Sequence, residues 1–231
     1  MKRRDFFGAL GLAAVELEAQ ETPGSLYIPK PHLVEDRKFL HDFMDEFSFV
    51  DLVTASPTIR ITHIPSVLDR GAGKYGTIRG HVARNNPQSQ VFDGKQTAVI
   101  VFRGPHSYIS PTWYSKPEAV PTWNFGVVHA TGRPRAITDP KAVHALLAGL
   151  IHKHEGSGEA YDFSKLPDSY VYGMIGGVVG FELEIELLEG KFKLGQERDA
   201  DDRAGILRGL AAAKPERNIH DFTAAFYERK V

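Results

Sequence analysis

Phe39, Leu40, Phe43, Met44 and Phe47 recur at intervals of three and four, which predicts an amphipathic helix over 35–47 with Asp36 in its first turn. The period then shortens to that of strands. β-like runs are predicted at 49–54, 58–64, 76–83 and 97–102, separated by clusters of Gly, Pro, Asn and Asp. Further strands are predicted around 107–110, 126–138 and 178–193. In the last of these Phe181, Leu183, Ile185 and Leu187 alternate with Glu182, Glu184 and Glu186, a strand with one wet face. Asp139 can cap a helix running to about Lys153, with Val143, Leu146, Leu147, Leu150 and Ile151 on its apolar side. Shorter helices are predicted at 169–175 and 203–213.

Six or seven short strands with helices between them, and no repeat at a period of 20 to 50 residues, predict a β-rich α+β fold. The expected architecture is an antiparallel β-barrel with peripheral helices, one domain over 26–213 followed by a C-terminal tail at 214–231. Of 231 residues, 42% are apolar and 25% charged, which excludes a disordered chain, a collagen and a membrane bundle. The formal charge of −1 lacks the basic excess that duplex DNA requires, and no helix-turn-helix pattern is present, so direct DNA binding is not expected. With no cysteine, disulfides, thiolate metal sites and a Cys nucleophile are excluded.

The first seven residues, Met-Lys-Arg-Arg-Asp-Phe-Phe, precede an apolar run ending at Val15. Arg3-Arg4 with Phe6-Phe7 resembles a twin-arginine export signal over 1–19, and the run is too short to span a bilayer. Glu16 and Glu18 speak against a cleavage site, and the other reading is an amphipathic N-terminal helix. The expected location is periplasmic or exported if the leader functions, cytoplasmic otherwise.

The densest chemistry is GPHSYISPTWY at 104–114 followed by VPTWNF at 120–125, which together hold both tryptophans. Aromatic planes beside hydroxyl and amide groups suit a flat heteroaromatic ligand, and equally a proline-shaped loop packed on a barrel. Thr62-His63-Ile64-Pro65 and Gly80-His81-Val82-Ala83-Arg84-Asn85-Asn86-Pro87 combine Thr, Arg, Asn and close-approaching Gly backbone. That set can bind a phosphate monoester, with Arg84 offering a bidentate fork and His81 a further donor; it also reads as ordinary strands and a turn. Lys191 and Lys193 share one strand face, where they meet a phosphate or water. His152 and His154 are two apart on a helix and diverge, so no metal site is expected there, and no Gly-x-Ser-x-Gly elbow supports a hydrolase.

In order along the chain, LYIPK (26–30), THIPSVLD (62–69), GHVARNNP (80–87), GPHSYISPTWY, VPTWNF and EGKFKLGQERDADDRAG (189–205) resemble the PaiB-type FMN-binding family, often labelled negative transcriptional regulators. The resemblance implies a six-stranded antiparallel split β-barrel, a homodimer, and FMN in the groove between subunits. Carried over by residue, it implies flavin contacts at Thr62 and His63, at Gly80, His81, Arg84 and Asn86 near the phosphate and ribityl chain, and at Trp123, Asn124 and Gln196 closing the pocket. It names no catalytic residue. The chain departs from the family pattern at Gly195-Gln196-Glu197, where Ser-Gln-Asn is usual, and at Phe192 in place of a Trp. The implied function is an FMN flavoprotein, a small flavin-dependent oxidoreductase. The alternatives are a regulatory protein without turnover and a haem-binding relative with His63, His81, His106 or His129 as axial ligand.

Overall fold

A computed structural model describes residues 26–116, 118–156, 161–213 and 219–228; the leader at 1–19 lies outside them. The chain forms β1 (Leu33–Val34), α1 (Arg37–Glu46), β2 (Phe49–Thr54), β3 (Arg60–Asp69), β4 (Thr77–Ala83), β5 (Ala98–Ile109), β6 (Thr122–Gly132), β7 (Arg135–Ile137), α2 (Pro140–Glu155), α3 (Asp168–Ile175), β8 (Val178–Lys193), α4 (Ala200–Ala213) and α5 (Ile219–Glu228). Every strand pairing is antiparallel. The order β8-β4-β3-β2-β5-β6 returns to β8, so six strands close a barrel, while β1 and β7 add to β8 outside it.

The 16-residue β8 makes closure possible because it serves two partners in succession. Its first half, from Val178 to Glu184, pairs with β4, and its second half, to Lys193, pairs with β6. A register shift opposite Thr131/Gly132 changes the phase of its alternation. Phe181, Leu183 and Ile185 point inward before it and Phe192 and Leu194 after it, which the uninterrupted alternation read from sequence did not anticipate. With Leu52, Ile78, Ile100, Phe102 and Val128 they fill the barrel.

Local signals fix the helix starts. Asp36 accepts from the Phe39 N–H at 3.1 Å to begin α1, which lays Leu40, Phe43 and Met44 on the core. Asp139 caps α2, Pro140 takes its first turn, and Gly156 ends it at φ 73°. Two strands expected at 97–102 and 107–110 are one strand, β5, with a bulge between Arg103 and His106 that accommodates Pro105 and its missing N–H. The single strand expected at 126–138 is β6 and β7, divided at Arg133-Pro134. The stretch set apart as a tail contains α5, and Phe226 and Phe222 of that helix pack on the core.

Candidate functional site

Strands β3 and β4 pair only from Ser66↔Gly80 to Asp69↔Thr77. Beyond Ser66, β3 pairs with β2 alone, and beyond Gly80, β4 pairs with β8 alone. The two strands part there, and the turn after β4 curls back until Asn86 Nδ2 donates to Thr62 Oγ1 at 2.9 Å. The result is a notch in the barrel wall, with Thr62 and His63 on its β3 side and His81 and the turn residues Arg84 and Asn86 on its β4 side.

Arg84 stands at its lip. The guanidinium donates from Nε to the Gly176 carbonyl and from Nη2 to the Val178 carbonyl (2.7 Å), while its backbone N–H donates to Gly177 O at 2.9 Å. Two carbonyls thus fix a planar cation whose remaining N–H groups stay on the exposed side. His81 is half-buried with no hydrogen-bond partner at Nδ1, and burial holds its ring below the usual histidine range. Gly80 faces the other way: a Cβ there would meet Phe181 at 3.1 Å and Ile64 at 3.3 Å, so the glycine permits close packing of the wall behind the notch.

Beneath the turn lies Gln88, 1% exposed, which the sequence did not single out. Its Nε2 donates to Leu52 O (3.1 Å), Thr54 Oγ1 (3.1 Å) and Arg60 O (3.2 Å), and its Oε1 accepts from Thr62 Oγ1. Asn86 caps the short helix that carries Gln88, accepting from the Gln88 N–H at 2.9 Å. This network holds the turn after β4 against β2 and β3.

On the outer face His63 lies directly across from Asp51, with Nδ1 2.5 Å from Asp51 Oδ1. Asp51 Oδ2 lies 2.8 Å from Arg103 Nη2. Neither Asp51 nor Arg103 stands in a recognisable motif; the register alone joins them to His63. Around this row the large apolar side chains Phe49 (69% exposed) and Ile61 (56%) face outward.

The remaining predicted contacts lie elsewhere. Trp123, 54% exposed, pairs with Tyr108 across β5 and β6, ring centroids 6.1 Å apart, with His106 6.3 Å away. Asn124 beside it is 1% exposed and Nδ2 has no partner. The next outward residue on β6, Phe125, has Lys193 opposite and the Lys191 ammonium 5.7 Å from its ring. Gln196 donates to Pro31 O (2.8 Å) and Phe192 O and accepts from the Leu194 N–H, tying the end of β8 to the N-terminal segment. Trp113 and Tyr114 are separate from Tyr108 and Trp123: Trp113 lies against Gly205 and Gly209 of α4, and Tyr114 lies under Arg198, 4.3 Å away.

The two departures from the family pattern have structural partners. Gly195 adopts φ 74°, where a side chain is strained, and Glu197 Oε2 lies 3.8 Å from His32 Nε2. Phe192 is fully buried, surrounded by Phe39, Phe43, Phe222 and Phe226.

A six-stranded barrel in which two strands part midway is a split barrel. Solved structures share it: the flavocytochrome Anf3 of Azotobacter vinelandii has TM-score 0.55 at 14% identity, covering 74% of this chain and 74% of that one. The FAD and heme binding protein of Mycobacterium smegmatis has TM-score 0.50 at 13% identity, covering 75% of this chain and 78% of that one. The chain belongs to the family described as "Putative FMN-binding domain", which matches residues 26–187. It is 32% identical over 188 residues to the Protease synthase and sporulation protein PAI 2 of Bacillus subtilis, covering 80% of this chain and 89% of the relative. An uncharacterized protein of Emericella nidulans is 32% identical over 190 residues, covering 67% of this chain and 76% of that one.

Proposed function

We propose that the protein is an FMN-binding flavoprotein, a small flavin-dependent oxidoreductase that works as a dimer. Arg84 carries the reading: a guanidinium held by two backbone carbonyls at the edge of a notch, with its free N–H groups outward, is arranged for a phosphate monoester. The rest of the site fits a flavin. His81 brings a half-buried nitrogen without a partner, Ile61 and Phe49 bring exposed apolar surface, and Trp123 and Tyr108 bring aromatic planes.

Where these groups lie supports a dimer. His81 pairs with Gly180 near the start of β8, and Phe125 with Lys193 at its end. Along β8 the path from Gly180 to Lys193 is about 43 Å of contour at ~3.3 Å per residue. One flavin is shorter than that path along the strand. It reaches both groups of predicted contacts if the notch comes from one subunit and Trp123 with its neighbours from the other. The exposed face with Phe49 and Ile61 is then the surface that a second copy covers.

When bound, the flavin would supply the two-electron chemistry, and the chain the phosphate donors and the stacking surfaces. The test is a titration of apoprotein, lacking residues 1–19, with FMN and with riboflavin. The reading expects FMN to bind at least ~10-fold more tightly, the worth of one charge-assisted hydrogen-bond group. Equal affinities would remove the phosphate subsite.

A further inference from the structure

The notch explains how a flavin is held and leaves open which side chain handles protons beside it. His63 follows Thr62 on the stretch of β3 that has left β4, and its ring is 59% exposed on the outer face. Its Nδ1 is engaged by Asp51 at 2.5 Å, so only Nε2 is free to face a ligand. A histidine whose Nδ1–H is taken by a carboxylate has its tautomer and ring orientation set by that bond.

The carboxylate is itself held. Asp51 is 15% exposed, and its second oxygen meets Arg103 at 2.8 Å, so both oxygens have cationic or N–H partners. The three residues come from three adjacent strands: Asp51 on β2 pairs with His63 on β3 and with Val101 on β5, two residues before Arg103. Beyond Val101 the same row continues to His129 on β6 and Glu189 on β8, the other titratable groups on this line of the outer face. A rigid sheet sets each of these positions, which is the precision a proton-transfer group requires.

We infer that His63 is the group that gains a proton when the flavin site is reduced and that Asp51, backed by Arg103, is its positioning residue. This rests on the flavin reading above. With dithionite oxidised and the bound flavin taking its two electrons, His63 Nε2 would take one proton from water: an N–H bond forms, imidazole becomes imidazolium, and hydroxide returns to solvent. On reoxidation the same N–H bond breaks and the proton leaves for the acceptor or for water. Asp51 keeps Nδ1–H in place throughout.

The test uses the FMN-loaded protein and needs no knowledge of its substrate. The flavin midpoint potential is measured against pH with dithionite as reductant, in wild type, His63→Gln and Asp51→Asn. The tautomer of His63 is read by long-range proton–nitrogen NMR. The expected result is a break in the potential-versus-pH line worth one proton per two electrons, abolished by His63→Gln and displaced by Asp51→Asn. His63 is expected as the Nδ1–H tautomer in wild type and to lose that preference in Asp51→Asn. If His63→Gln no longer holds FMN, the Asp51→Asn pair of measurements carries the test alone. A bound flavin whose potential shows no break, or a break that both variants leave unchanged, overturns the proposal and leaves the flavin reading standing. A wild-type chain that binds no flavin overturns both.

Discussion

Five N–H groups radiate from a guanidinium, and in Arg84 the carbonyls of Gly176 and Val178 take only part of them. Arg84→Ala is therefore expected to weaken FMN at least ~10-fold while riboflavin, which has no phosphate, changes little. Isothermal titration with both ligands measures the ratio, and a parallel loss for both would mean that the turn has moved instead. Gln88 acts by holding the turn. Its removal leaves the Leu52 and Arg60 carbonyls and two threonine hydroxyls without their partner, so Gln88→Ala is expected to cost about 2–4 kcal/mol in urea unfolding. Two histidines add a pH dependence. Burial lowers His81 below its ordinary 6.5, and burial, with a smaller contribution from Lys191, lowers His129 against the opposing pull of Glu189. A folded-state pKa below the unfolded one favours the neutral ring in the fold. Stability is then fully present above the unfolded value near 6.5 and is lost as pH falls through the depressed folded values. Thermal melting across that window is expected to show the decline, and His81→Asn to make it shallower.

Among the elements, those specified by neighbouring residues were legible in the sequence and those specified across strands were not. The Asp36 and Asp139 caps announce α1 and α2 because a cap is a contact within three residues. Long β8 was visible from its alternation, but its phase change was not, because the shift is imposed by β6 opposite it. Thr62, Arg84 and Asn86 were legible as residue types suited to a phosphate. Asp51, Arg103 and Gln88 were not, since each owes its place to a partner at least a dozen residues away on another strand or turn. Helix α5 was missed for the same reason: its apolar residues make sense only once Phe192 and Phe43 are beneath them. Truncation after residue 213 uncovers that aromatic cluster. The shortened protein is expected to bind more of a hydrophobic dye and to melt at lower temperature, with a loss comparable to the ~3–5 kcal/mol of a large core truncation. An unchanged melting temperature would show that α5 contributes nothing to the barrel.

For the whole molecule, the distance between the two groups of contacts makes a prediction that a self-contained site does not share. Arg84→Ala damages the notch, and Trp123→Ala damages the aromatic surface at the other end of β8. If each flavin lies between a notch of one subunit and the Trp123 surface of the other, both sites are damaged in either homodimer. In a mixed dimer the geometry sorts the damage unequally. One site receives both altered residues, and the other is built from the intact notch of the Trp123→Ala chain and the intact tryptophan of the Arg84→Ala chain. Co-expression with two affinity tags isolates that species, and FMN titration is expected to find one site per dimer at wild-type affinity. A site made within one subunit gives the opposite count, because every subunit of the mixed dimer then carries a damaged pocket and none is restored. Ile61→Asp, which places a charge on the exposed apolar face, extends the same logic. It is expected to shift sedimentation from dimer to monomer and to remove high-affinity FMN binding with it, although neither Arg84 nor Trp123 has been touched. A monomeric variant that still binds FMN tightly would place the whole flavin site within one chain.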